Sequence, residues 1–243
     1  ALMTFILIFS SVTMVLAVDA GHHMKKNKVV TYMALTILGG FIFLGSQAWE
    51  WNNFINGEYG AVETRSGKII QFADAEGNRV ALDEFATPTP GIRSEHQNKN
   101  GVWYKSEDSY NPLGIEDVKR GFAANPDLRV RTMQITDEGE KEVLNREESL
   151  LTLNTSGIGV IEGANLTQNE YGAPLFGCFF FFITGFHGFH VLSGVLILII
   201  VFFNVLIGTY EKRGSYEMVE KVGLYWHFVD LVWVFVFTFF YLV

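Results

Sequence analysis

The chain has 243 residues, of which 49% are hydrophobic and 15% aromatic, and its formal net charge at pH 7 is −8. This composition, with 22 phenylalanines, is too apolar for a typical soluble domain and favours a membrane protein. The acidic balance argues against nucleic acid as a partner, because binding to its phosphates needs a basic patch. The single cysteine, Cys178, excludes a disulfide within the chain and a C-x-x-C-H haem attachment site.

Four apolar runs with few or no charges predict membrane-spanning helices. A hydrocarbon core roughly 30 Å thick needs about 20 apolar residues in a helix. The first run starts without a basic region or a small-residue cleavage site, which argues against a signal peptide and leads us to expect a fragment or a trimmed amino terminus. The runs are Ala1 to Val18, Val29 to Trp49, Pro174 to Thr209 and Gly223 to Val243.

Outside the polar middle of the chain, lysine and arginine fall in two short loops between predicted helices. Such residues favour the cytoplasmic or matrix side of a membrane, so residues 52–171 and the carboxyl terminus are expected to face outward. The predicted organisation is two helices in 1–51, an outward insert in 52–171 and two helices in 172–243. The basic loop residues are Lys25, Lys26, Lys28, Lys212, Arg213 and Lys221.

The insert is acidic, with 12 lysines and arginines against 20 aspartates and glutamates. A connection of this length is expected to be functional or separately folded. Lys68–Phe72 and Arg79–Leu82 flank turn-forming residues and predict a hairpin. Further predicted elements are strands at Val102–Lys105 and Val130–Ile135 and a helix at Lys141–Leu153. Together they predict a small α+β domain, with an irregular cover wrapped on a neighbouring protein as the alternative.

Two histidines, His187 and His190, lie inside the third predicted helix. A separation of three residues projects both rings from one side of a helix. Gly188 and Gly194 add small residues to this segment, and small residues let a neighbouring helix approach closely. The sequence therefore predicts that this side packs against protein.

The fourth predicted helix carries a carboxylate on an aromatic stripe. Trp226, Asp230 and Trp233 follow one another at spacings of four and three residues, which places them on one helical face. A carboxylate inside a membrane is costly without a partner. We therefore expect another polar group to lie beside Asp230.

The depths of the third and fourth helices indicate where that group lies. Centred on the membrane, His190 and Asp230 differ in depth by little more than one helical turn. This predicts a polar cluster of His187, His190, His227 and Asp230 between neighbouring helices. Such a cluster is compatible with ligation of a b-type haem, with a proton relay or with hydrogen-bonded docking of helices, and docking is the interpretation that we favour.

Other polar residues mark the ends of the first two helices. His22 and His23 lie beside Lys25 at the inner edge, where they are expected to meet water or headgroups, or to gather protons or bind anionic lipid. Gln47 and Glu50 end the second helix on the outer side and are also expected to meet water or headgroups.

Two motifs carry a resemblance to a known family. TGFHGFH at Thr184–His190 and YWHFVDLVW at Tyr225–Trp233 closely resemble subunit III of the haem–copper terminal oxidases, the cytochrome c oxidase group. AGHH at Ala20–His23 and QAWE at Gln47–Glu50 resemble the segments that precede these motifs in that family. The resemblance covers the four predicted helices, which is about half of the chain, and does not extend to the insert.

The resemblance implies an all-α transmembrane fold in which these are the fourth to seventh helices of a seven-helix bundle, without the first three. It also implies that this chain binds no haem or copper, which are expected in partner subunits. Family members pack beside subunit I, hold phospholipid in a cleft, support proton uptake and function with subunit II. His187 and His190 are then interhelical ties.

The predicted function is that of a non-catalytic membrane subunit of a proton-pumping cytochrome c oxidase in a bacterial inner membrane, with the mitochondrial inner membrane as the alternative. The acidic insert is expected to dock a neighbouring subunit, cytochrome c or another respiratory complex, since acidity attracts a basic electron carrier. Subunit III of a quinol oxidase and a b-type cytochrome anchor are the rival interpretations. A transporter is a weaker one, because paired Gly- or Pro-broken helices are not evident.

Overall fold

A computed structural model describes residues 2–89, 113–137 and 139–241. The chain divides into two compact units, one formed by Ala1–Trp51 with Phe180–Val243 and the other by Asn52–Phe179. The strand predicted at Val102–Lys105 lies outside the described residues. In chain order the elements are α1 (Leu2–His22), α2 (Lys26–Asn56), β1 (Ala61–Thr64), β2 (Ile69–Ala73), α3 (Leu82–Phe85), α4 (Ile115–Ala124), β3 (Arg129–Ile135), β4 (Lys141–Val143), α5 (Arg146–Ser156), β5 (Gly157–Ile161), α6 (Pro174–Ile207), α7 (Thr209–Arg213) and α8 (Glu217–Tyr241).

The helical unit confirms the predicted all-α transmembrane class. Helices α1, α2, α6 and α8 have 21, 31, 34 and 25 residues, and each is long and apolar enough to cross a membrane. Their apolar residues face both ways: Val195 and Trp226 are fully buried, whereas Phe186 and Phe189 are 61% and 66% exposed. A helix that is hydrophobic on every side is typical of a membrane span.

Helix ends differ from the predicted ones for local reasons. Helix α6 stops at Ile207, before the predicted Thr209, because Gly208 adopts a left-handed conformation with φ of 79° that ends the helix. Helix α8 begins at Glu217, before the predicted Gly223. The apolar pattern does not indicate its first turns, because they contain charged residues such as Glu217 and Glu220. Glu217 and Lys221 form an i,i+4 ion pair there, with 2.8 Å between Oε1 and Nζ.

The unit Asn52–Phe179 contains both strands and helices, as predicted for a small α+β domain. Its sheet is antiparallel with strand order β4-β3-β2-β1-β5. Helices α4 and α5 contribute Phe122 and Leu153 to a core that includes Ile70, Phe72 and Val130 from the strands. Strand β3 lies where the Val130–Ile135 prediction placed it.

Two predictions in this unit need correction. The helix predicted at Lys141–Leu153 begins only at Arg146, because Asn145 caps it by accepting a hydrogen bond from the Glu148 N–H, and residues 141–143 pair with β3 instead. The predicted hairpin turn forms, since the Asp74 N–H donates to the Asn78 carbonyl and the Val80 N–H donates to the Phe72 carbonyl. Arg79, however, makes only an isolated bridge to Ala73, and no second strand follows among the described residues before α3 begins. Strand β2 instead forms a hairpin with β1 across the turn at residues 65–68, where Gly67 has a φ of 73°, and its other partner, β3, is distant in sequence.

Candidate functional site

Hydroxyl groups of α1 accept hydrogen bonds from the indoles of α8. Trp226 Nε1 donates to Ser10 Oγ at 3.1 Å, and Trp233 Nε1 donates to Thr4 Oγ1 at 3.1 Å. Both tryptophans are predicted packing residues, whereas Ser10 and Thr4 are not among the predicted contacts. Their signal is a hydroxyl side chain in an otherwise apolar span, where interhelical hydrogen bonds are expected.

Trp226 occupies a slot that glycines leave open. A Cβ atom added to Gly194 of α6 would lie 3.1 Å from Trp226 Cε3, and one added to Gly40 of α2 would lie 2.8 Å from Trp226 Cη2. Together with Ser10 on α1, these contacts bring three helices against one buried indole. Trp226 is therefore a central packing residue of the helical unit.

His187 ties α6 to the backbone of α8. The residue is 2% exposed, and its Nε2 atom lies 3.1 Å from the Val229 carbonyl oxygen. Because a carbonyl only accepts, Nε2 carries the proton and donates. The ring packs at 5.1 Å from Trp233 and 5.6 Å from Phe43, centroid to centroid. This arrangement suits a neutral imidazole that holds two helices together.

His190 does not take part in the contact between α6 and the backbone of α8. Its Nδ1 atom lies 2.8 Å from the Phe186 carbonyl oxygen of the same helix, and its ring is only partly buried. Residues three apart on an α-helix still differ in direction by about 60°, which is enough to separate a buried ring from a half-exposed one. Both histidines line a groove of about 260 Å³ between α6 and α8, together with Val229.

The predicted cluster of four polar residues is not assembled in this chain. His227 and Asp230 line a different groove, of about 460 Å³, between α8 and α1. His227 Nδ1 lies 2.6 Å from Ser11 Oγ. Among the described residues no hydrogen bond joins His187 or His190 to His227 or Asp230. The prediction rests on depth along the membrane, which does not specify the direction in which a side chain leaves its helix.

Asp230 has no hydrogen-bond partner in its groove. The residue is 8% exposed, and both carboxylate oxygens are buried and unpaired among the described residues. Ser11 also faces the carboxylate. Its single hydroxyl proton can reach Asp230 only when His227 Nδ1 donates to Ser11 Oγ, and even then one carboxylate oxygen is left without a donor. The expected neighbour of Asp230 is therefore missing from the described part of this chain.

Gln47 and Glu50 are not solvent-facing helix ends, contrary to the prediction. Gln47 Nε2 donates to the Thr184 carbonyl at 2.8 Å, and Trp51 Nε1 donates to Thr184 Oγ1 at 3.1 Å. The Tyr241 hydroxyl lies 2.8 Å from both carboxylate oxygens of Glu50. Gly188 lies beside Gln47, since an added Cβ would be 3.1 Å from Gln47 Oε1. These contacts join α2 to α6 and α8 near the helix ends.

His22 and His23 are exposed, as expected of residues at a membrane edge. His22 Nε2 lies 3.8 Å from Glu220 Oε2, and His23 Nδ1 lies 2.9 Å from the Asp19 carbonyl oxygen. Lys25 follows in the turn that joins α1 to α2. Across residues 2–89, 113–137 and 139–241, no group of three histidine, cysteine or acidic side chains is arranged to hold a metal ion.

Comparison with known proteins gives the motifs a family context. Residues 161–243 match the family model of cytochrome c oxidase subunit III. A cytochrome c oxidase subunit 3 of Rhipicephalus sanguineus is 47% identical over 108 residues, which is 42% of this chain and 40% of the relative. A probable cytochrome c oxidase subunit 3 of Rickettsia conorii is 45% identical over 64 residues, which is 26% of this chain and 23% of the relative. The chain thus spans less than half the length of these curated relatives.

Proposed function

We propose that this chain is a non-catalytic membrane subunit of an oxygen-reducing, proton-translocating cytochrome c oxidase, because residues 161–243 match the family model of cytochrome c oxidase subunit III. The haem and copper centres are supplied by partner subunits I and II. The chain contributes assembly contacts, a phospholipid-binding surface and access for protons. In this proposal the complex lies in a bacterial inner membrane, with the basic loops on the cytoplasmic side.

The unpaired carboxylate of Asp230 carries the proposal. A charged group at the centre of a membrane helix costs about 3 kcal/mol when nothing compensates it. Lipid acyl chains have no hydrogen-bond donor, and we infer that the compensating group comes from another polypeptide. The groove between α1 and α8 is then the place where a membrane helix of a neighbouring subunit donates a hydrogen bond to Asp230.

The other polar contacts have a structural role in this proposal. His187, Trp226 and Trp233 use their ring N–H groups on Val229, Ser10 and Thr4 within the chain, so they act as ties between helices. An imidazole whose Nε2–H already donates to a carbonyl has only Nδ1 left for a metal. A purified chain with a haem absorption band would contradict this role and favour a b-type cytochrome anchor.

Exchange of Asp230 in the assembled complex tests the proposal. We expect Asp230→Leu to release the chain from the complex during a detergent wash, because leucine removes the hydrogen-bond acceptor. The isolated variant should be at least as stable as the unchanged chain, since the carboxylate has no partner within it. Asp19→Leu is the control, because that side chain is 69% exposed at the end of α1. Full retention of the Asp230→Leu chain would refute the proposal.

The electron donor is tested on the same preparation. Turnover with reduced cytochrome c and a binuclear copper signal from subunit II are expected, whereas turnover with quinol alone would identify a quinol oxidase.

We also propose that His22, His23 and Lys25 gather protons or anionic lipid at the inner edge of the membrane. Slower proton uptake by a complex carrying His22→Gln and His23→Gln would support this role, and unchanged uptake would contradict it.

The acidic unit is proposed to dock a neighbouring subunit, cytochrome c or another respiratory complex. Its net charge favours encounter with a basic electron carrier. If deletion of residues 60–165 leaves assembly and turnover with the physiological donor unchanged, the unit does not have this role.

A further inference from the structure

Three cationic side chains lie on the sheet face opposite the core helices. Arg131 of β3 pairs directly with Gln71 of β2, and Arg79 forms a bridge with Ala73. Directly opposed residues share a face, as do residues two apart on one strand. Lys141 of β4 reaches the same place, with its Nζ atom 3.4 Å from Gln71 Oε1. Arg79, Arg131 and Lys141 therefore converge around Gln71.

None of the three cations forms a salt bridge with another described residue. The Nε and Nη2 atoms of Arg79 are buried and have no hydrogen-bond partner, although the guanidinium lies 4.1 Å from the centroid of the Tyr59 ring. Lys141 makes only long contacts, at 3.4 Å to Met133 Sδ and 3.5 Å to the Tyr171 carbonyl oxygen. Unpaired cationic groups in a partly buried place are costly and are normally balanced by an anion.

The buried carboxylate in this region, Glu170, is already fully used. Its Oε1 atom accepts hydrogen bonds from the N–H groups of Glu58 and Tyr59, at 3.0 and 3.2 Å. Its Oε2 atom accepts from Gly60 and Gly163, at 3.2 and 2.6 Å. An ionised carboxylate offers about four lone-pair positions, so these four donors fill its hydrogen-bonding positions, and no ion pair joins it to Arg79, Arg131 or Lys141 among the described residues.

The electrostatics of Lys141 agree with this geometry. Burial lowers the pKa of its ammonium group, and the positive charges of Arg131 and Arg79 lower it further. A bound anion would reverse the second effect, because an opposite charge nearby favours the charged form of lysine. The site is therefore one in which an anion would relieve the repulsion among its cations.

We propose that Arg79, Arg131 and Lys141 form a binding site for a phosphate-type oxyanion. Guanidinium groups present several N–H donors in a planar fork that matches phosphate oxygens, and an ammonium group adds a compact positive charge. Tyr59 and Tyr171 stand three residues along the chain from the ends of α2 and α6, two helices of membrane-crossing length. Both free phosphate and the phosphate of a lipid headgroup are thus available sources. All three cations precede residue 161, so the site does not depend on the oxidase assignment.

A phosphate titration of the full chain in detergent, at constant ionic strength, tests the site. Saturable binding is expected by calorimetry, and Arg79→Gln and Lys141→Gln should each weaken it about tenfold, as expected for loss of one charge-assisted hydrogen bond. Arg65→Gln is the matched control, because this exposed arginine follows β1 in the same sheet unit. Circular dichroism should show all variants folded, since Arg79 and Lys141 lack strong partners. Absence of saturable binding, or equal weakening by Arg65→Gln, would overturn the proposal.

A second arm identifies the source of the phosphate. The same variants are reconstituted in phosphatidylcholine bilayers with and without phosphatidylglycerol, and phosphate binding is measured again. If the anionic lipid abolishes phosphate binding to the unchanged chain, the headgroup occupies the site. If phosphate binds equally in both bilayers, the site is supported as one for the free ion.

Discussion

The slot around Trp226 makes a quantitative prediction for two glycines of one helix. In Gly40→Ala the new Cβ would lie 2.6 Å from Val195 Cγ2 and 2.8 Å from Trp226 Cη2, and both neighbours are fully buried. In Gly45→Ala the new Cβ would meet nothing within 4 Å. Both exchanges gain about 1 kcal/mol of helix propensity. Only the first adds an overpacking cost of about 1–3 kcal/mol. We therefore expect Gly40→Ala to be less stable than Gly45→Ala by about 1–3 kcal/mol.

Unfolding of the full chain in mixed micelles, followed by circular dichroism and tryptophan fluorescence, measures this difference. Because the propensity gain is common to both variants, their difference reports the packing cost alone. A double variant, Gly40→Ala with Val195→Ala, should recover part of the loss, since it removes the atom closest to the new methyl group. Equal stability of the two single variants would refute the close packing of α2 against α6 and α8.

Two further predictions concern the unit Asn52–Phe179. Glu170→Gln should destabilise the start of β1 by about 3 kcal/mol or more, because the new amide NH2 would face two of the N–H groups from which Glu170 now accepts hydrogen bonds. Hydrogen exchange of β1 and β5 measures this loss, with the exposed Glu84→Gln as the control. Unchanged protection would contradict the prediction. Hydrogen bonds from Thr89 and from the Gly114 N–H, together with nearby Arg120, hold the pKa of Asp117 below its usual 3.8. Its carboxylate therefore stabilises the fold above pH 3.8, and this contribution is lost as the pH falls through the lower folded-state pKa. Asp117→Asn should flatten the acid limb of the stability profile of this unit, and an unaltered limb would show that Asp117 does not contribute.

The sequence predicts the membrane helices well because length and apolar composition are local properties. It also identifies His187, Trp226 and Trp233 as buried residues. Their partners are harder to predict, because Thr4 and Ser10 precede the tryptophans they bond by more than 200 residues and depend on how α1 and α8 are rotated about their axes. The partner of His187 is a backbone carbonyl, which no side-chain pattern indicates.

The sheet shows the same limit. Strand β3 is predictable because Val130, Thr132 and Ile135 favour strands. Strands β1 and β5 are short and pair with each other across the whole unit, Ala61 opposite Ile161, so no local turn indicates the pairing. The start of α5 was predictable in principle, since Asn145 with Glu148 three residues later is a helix-start signal that the leucine pattern obscured.

The carboxylate of Glu170 has an architectural consequence beyond its local hydrogen bonds. It binds Glu58, Tyr59 and Gly60 at the entry of the unit and Gly163 at its exit, while the Ala164 N–H donates to the Phe54 carbonyl at 2.9 Å. The entry and exit of the unit are therefore held next to each other by hydrogen bonds. Insertions or deletions between them can then accumulate during evolution without changing the separation of the two ends of the unit.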